Sequence, residues 1–149
     1  QRHRIMTYNQ ILADIEAWAN NHLQIQTFGN GEEWEVNGTI KAGTLYPIFF
    51  AVPVSSQTFE NTIQRTFRVF CFGQVKKDKT NENEILSDTE SIVHDFVKYL
   101  KYDNDDIGII GDPSMTPFKE DFGDFCAGWE CELIIETNFA NGQCDAPTK

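Results

Sequence analysis

The chain has 149 residues, the length of one domain spanning 1–149, and its 40% hydrophobic and 13% aromatic content can close a core without disulfide or metal staples. Its net charge of −11 is lopsided: residues 1–80 carry 8 Lys/Arg against 7 Asp/Glu, while residues 81–149 carry 4 against 16. An acidic second half excludes tight binding of phosphate backbones through its own surface, although a polyanion could slide past it, and the longest apolar run, Pro47 to Val54, is far short of the roughly 20 residues a membrane helix needs.

In chain order, Gln1-Arg2-His3-Arg4 lacks an initiator Met and reads as a processed end or a cloning remnant, with no signal peptide visible. Thr7 followed by Gln10 makes a capping box. Behind it Tyr8, Ile11, Leu12, Ile15, Trp18, Ala19 and His22 fall on one helical face, predicting a first helix over residues 7–22 with His22 at its C-terminal end. A β-rich block follows. Leu23 to Phe28 and Glu33 to Val36 read as short strands around Gly29-Asn30-Gly31, and Gly38 to Thr44 as a turn. Leu45 to Val54 is apolar but carries Pro47 and Pro53, which places it at a sheet edge or a bulge. Ser55 to Asn61 reads as a polar turn. Thr62 to Val75 is the longest strand before the second helix, with Ile63, Phe67, Val69 and Cys71 on one parity and Phe70 and Phe72 on the other, a pattern of burial on both faces or of one face against another subunit.

A charged connector, Lys76 to Asn83, leads into a second helix over Glu84 to Leu100, whose apolar stripe runs from Ile85 through Ile92, Val93 and Phe96. Acidic residues crowd its start and Lys98 and Lys101 its end, the order the helix dipole favours. Tyr102 to Gly123 reads as a long irregular loop. From Phe125 to Phe139 strict alternation returns: Phe125, Ala127, Trp129, Cys131, Leu133 and Ile135 share one parity, and Glu130, Glu132 and Glu136 the other. That is a half-buried strand with a solvated acid row. Asn138 to Lys149 is a short tail. The elements add up to an α+β chain in the order α-β-β-β-α-β, with a mainly antiparallel sheet.

No pattern specifies a reaction. Cys71, Cys126, Cys131 and Cys144 lack zinc-site spacing, and His3, His22 and His94 are scattered, so buried reduced thiols in a cytosolic setting are the simplest reading. Asp103 to Gly108 starts like a calcium loop, but its fifth position is Ile107 and its twelfth Ser114, where a bidentate Glu is required. Adjacent His94 and Asp95 point about 100° apart on a helix and make no dyad. Glu33 and Glu35 share a strand face, which an exposed hairpin explains. No cofactor, metal or catalytic residue is assigned. The basic residues Arg65 and Arg68, with Lys76, Lys77 and Lys79, could meet the acidic half of an adjacent copy, since opposite charges on one chain suit a head-to-tail ring. The candidate subunit contact therefore comprises Phe49, Phe70, Phe72, Arg65 and Arg68 against the acid row Glu130, Glu132 and Glu136.

Three segments carry a resemblance: Asn81 to Leu100 with Leu86-Ser87-Asp88-Thr89, the lead into the acid-apolar strand Asp124-Phe125-Cys126-Ala127-Gly128-Trp129, and the close Cys144-Asp145-Ala146-Pro147. Together with the order of elements, they resemble the tail terminator or tail completion proteins of tailed bacteriophages, which also serve as neck rings. The resemblance implies two helices on one face of the sheet, no active site, and a virion subunit assembled in the bacterial cytoplasm. It further implies a self-ring, commonly hexameric, that contacts other portal, neck or tail proteins and passes DNA through its lumen without reading its sequence. The rival readings are a monomeric host adaptor that takes a peptide by strand addition along Leu45 to Val54, and a small metal-dependent hydrolase using Asp or Glu.

Overall fold

The computed structural model describes residues 6–31, 45–121 and 125–138. The predicted strand at Glu33 to Val36, the turn at Gly38 to Thr44, Gly123, and the tail with Cys144 lie outside the described residues.

Helix α1 (Tyr8–Asn21) begins as its capping box requires. Thr7 Oγ1 accepts the Gln10 N–H at 3.2 Å, and Gln10 Oε1 accepts the Thr7 N–H at 2.8 Å, which satisfies two amides that have no partner inside the helix. Its buried stripe is Ile11, Ile15 and Ala19. The chain leaves through His22, whose N–H donates to Ala19 O. Strand β1 (Thr27–Asn30) then pairs parallel with Ile48–Ala51 of β2 (Ile48–Thr58), so Gly29 and Asn30 belong to a strand rather than a turn. The first half of β2 is accordingly an inner strand. Pro53 sits where the β2–β3 register shifts, the bulge its missing N–H calls for.

β2 and β3 (Thr62–Gln74) form a long antiparallel hairpin, closed where the Phe59 N–H donates to Thr62 O at 2.8 Å. The predicted polar turn shrinks to three residues, because Ser55 to Thr58 continue the strand. Helix α2 (Glu82–Lys98) buries Thr89, Ile92, Val93 and Phe96 and ends in a π-helical turn, Tyr99–Asp103. Asn81 ties down the connector by accepting the Lys76 N–H and donating to Gln74 O.

The expected long loop after α2 instead holds β4 (Gly108–Ile110) and β5 (Met115–Asp121), both antiparallel to β6 (Phe125–Asn138). They run in line along the same side of β6 as one edge, interrupted around Gly111, whose φ of 72° favours glycine. Strand order is β1-β2-β3-β6-β4, with β5 also on β6. The architecture is α+β, a mainly antiparallel sheet with both helices on one face, and it adds two short strands to the predicted order.

The helix-facing core joins Ile11, Ile15, Phe96 and Leu100 to Phe49, Phe67, Val69, Cys131, Leu133 and Ile135. Trp18 is its hinge, packing on Phe49 and Phe96 with centroids 5.4 and 5.0 Å away. Trp129 Nε1 donates to Leu86 O at 2.8 Å, fastening β6 to α2. A second cluster on the opposite face contains Ile48, Phe50, Val52, Phe70, Phe72 and Cys126. Gly128 permits the tight β3–β6 crossing there, since a Cβ would lie 2.0 Å from Cys71 O.

Candidate functional site

The residues expected at a subunit contact are drawn instead into the chain's own packing. Phe49 is 0% exposed beneath α1 and α2, so it offers nothing to a neighbour. Phe70 and Phe72, on the other face, meet Phe118 edge-to-face at 5.6 and 5.9 Å, and both are buried. Of the two readings that the alternating pattern allowed, burial on both faces within one chain is the one realised. Phe118 comes from β5, the strand that was read as loop, so its partnership with these rings was invisible to periodicity.

The charged part of the expected contact is likewise internal. In the β3–β6 ladder, Arg68 stands opposite Glu132 and Gln64 opposite Glu136. Arg68 Nη2 lies 3.2 Å from Glu132 Oε1, and Gln64 Nε2 donates to Glu136 Oε2 at 3.2 Å. Glu130 faces Phe70 across the same ladder. Within the chain, Arg68 and Gln64 thus engage Glu132 and Glu136, while Glu130 stands beside Phe70. Being solvent-exposed, the Arg68–Glu132 pair contributes no more than about 1 kcal/mol. Arg65 points to the helix side, where its Nη1 donates to the buried Thr137 Oγ1 at 3.1 Å, and partial burial lowers its guanidinium below the usual range.

A polar cavity of about 520 Å³ opens between α1 and the π-helical turn, lined by Gln10, Asp14, Tyr99 and Asp103 to Asp106. Its carboxylates do not converge as ligands. Asp14 Oδ1 accepts the Tyr99 hydroxyl at 2.8 Å, and Asp14 Oδ2 accepts Asn104 Nδ2 at 2.7 Å. Burial first, then Asp14, pushes the Tyr99 phenol up to about 12. Among the described residues, no three His, Cys, Asp or Glu side chains group as a metal site would require. The network pins the π turn to α1, a structural task.

His22 is the C-cap residue of α1, where its backbone N–H rather than its imidazole closes the last turn. Its Nδ1 accepts the Gln24 N–H at 3.2 Å, and its Nε2 lies 2.9 Å from Asp95 Oδ2 on α2. His94 is exposed on the same helix. Cys71, Cys126 and Cys131 are buried free thiols, and burial pushes Cys131 up to about 11 and Cys71 further in the same direction. These groups are inert packing rather than reactive centres.

What the sequence reading missed is the far end of the sheet. Beyond Ala51, β2 outruns β1, and among the described residues Val52 to Thr58 pair only with β3. This end carries Val54 and Phe59, 45% and 40% exposed, and across the sheet Ile110, 39% exposed. A cleft of about 250 Å³ lies at its root, between Tyr8 and Phe67 on one side and Pro53 to Ser56 on the other. The signal was weak: Ser55-Ser56-Gln57-Thr58 has no apolar alternation, so only the Thr at its end hinted at strand. No family model matches the chain, and no curated protein matches it in sequence.

Proposed function

We propose that this chain is a non-enzymatic structural subunit that associates laterally with further copies into a ring, and that the ring belongs to the neck or tail of a tailed bacteriophage. The assembly half of this reading is supported by the hairpin end of the sheet, where the apolar side chains Val54, Phe59 and Ile110 are exposed and, among the described residues, β2 beyond Ala51 has no strand on its outer side. The outer segment Val54 to Thr58 is exposed and carries no charge, which suits it to contact with another protein surface. The phage half comes from the resemblance of the three segments quoted above. Two of them meet in space, since Leu86 of the first accepts the indole N–H of Trp129 from the second. An acidic lumen wall would pass DNA without holding it, in keeping with the excess of carboxylates after residue 80.

The open edge of β2 also fits the rival reading, addition of a peptide strand to a monomer, although β1 covers Ile48–Ala51 and moves that edge to Val52–Thr58. Negative-stain imaging and sedimentation of the purified chain separate the two. Closed annular particles support the ring; a monomer at every concentration supports the adaptor.

A further inference from the structure

At the level of Ser55 the sheet is four strands wide. Ser55 stands opposite Thr66, Thr66 opposite Ile134, and Ile134 opposite Ile110. With strands about 4.8 Å apart, its two outer strands, β2 and β4, lie about 14 Å from one another. Among the described residues, neither outer strand has a further partner on its outer side at this level, β1 reaching only as far as Ala51. The neighbouring edge strand β5 is blunted in the usual way, by Pro117 and the exposed Lys119. The Val54–Thr58 and Gly108–Ile110 edges carry neither Pro nor a charge.

Strand direction makes these two edges complementary. β2 is antiparallel to β3, β3 to β6 and β6 to β4, so β2 and β4 run in opposite senses. In a cyclic arrangement whose axis lies along the strands, every copy keeps its direction, and β4 of one copy meets β2 of the next antiparallel, the more stable ladder. We infer that copies of this chain join head to tail by strand addition, the Val54–Thr58 edge of one pairing with the Gly108–Ile110 edge of the next. The partner is a second copy because each edge has its complement on the same chain, and because neither paired segment itself carries a charge, so the ladder between two molecules of net charge −11 would hold no carboxylate of its own. The contact would cover Val54 of one copy and Ile110 of the other, two of the exposed apolar side chains that the fold leaves uncovered.

This inference rests on the self-association proposed above, and its test separates the two. Ser56→Lys guards the β2 edge and Ile110→Lys the β4 edge, both at exposed positions. By sedimentation equilibrium each variant alone should lose at least tenfold in association constant. An equimolar mixture should recover 1:1 pairs, because one variant keeps an intact β4 edge and the other an intact β2 edge. Variants that assemble like the wild type, or a mixture that forms no pairs, would overturn strand addition while leaving self-association standing. A wild-type chain that never assembles would remove the ring itself. Hydrogen exchange on the unaltered protein gives an independent reading: amides in 55–57 and 108–110 should slow as concentration rises through assembly, and unchanged exchange there would refute the contact.

Discussion

The two ends of the sheet obey different rules. Toward Gln74 and Phe125 the strands are buried on both faces, with Phe49 under the helices and Phe70 and Phe72 under Phe118, and the adjoining edge is guarded by Pro117 and Lys119. Toward Thr58 and Thr62 β2 and β3 run on with exposed or half-exposed, mostly polar side chains, and among the described residues β2 has no strand on its outer side there. Stability resides in the first end and availability in the second.

Substitutions can break this contrast or sharpen it. The largest effect should come from Phe49→Ala, which empties a fully buried site among Trp18, Phe28 and Phe96 and should cost about 3–5 kcal/mol in urea unfolding. Gln57→Ala at the open end should stay within about 0.5 kcal/mol; a comparable loss there would erase the distinction. Next in size are two hydrogen bonds. Trp129→Phe removes the tie to Leu86 O, and Thr7→Ala removes the α1 cap; each should lower stability by about 1 kcal/mol.

Arg68→Ala should cost less than about 1 kcal/mol, because its partner Glu132 is on the surface of the same chain, and it should leave assembly unchanged. A loss of assembly would restore the charged contact between copies that the ladder register argues against. The smallest effect is in alkali. Tyr99 has its folded-state value raised from an ordinary 10.0 to about 12, so its contribution is complete below pH 10 and is lost as pH climbs toward 12. Buried Cys71 and Cys131 act with the same sign, starting from an ordinary 9.0. Unfolding free energies measured at increasing alkaline pH should therefore decline, and Tyr99→Phe should make the decline shallower.

Local signals in the sequence located what local physics decides. The capping box set the start of α1, the apolar stripe from Ile85 to Leu100 located α2 within two residues, and alternation located β6. Pro53 announced its bulge. The π turn, in contrast, extended past the expected helix end because Tyr99 and Asn104 reach back to Asp14, a contact spanning most of the chain. β4 and β5 were hidden by Gly111, Pro113 and Pro117, residues that read as loop but are tolerated on an edge. Strand pairing was equally illegible. Parity put Arg68 and Glu132 on their faces, but only the β3–β6 neighbourhood makes them partners within one chain.

Lateral association is best tested by sedimentation velocity of the unaltered chain over a wide concentration range. Growth of a single faster species with a defined copy number, together with annular particles in the same sample, is the result expected here. One slow monomer boundary at every concentration would contradict it.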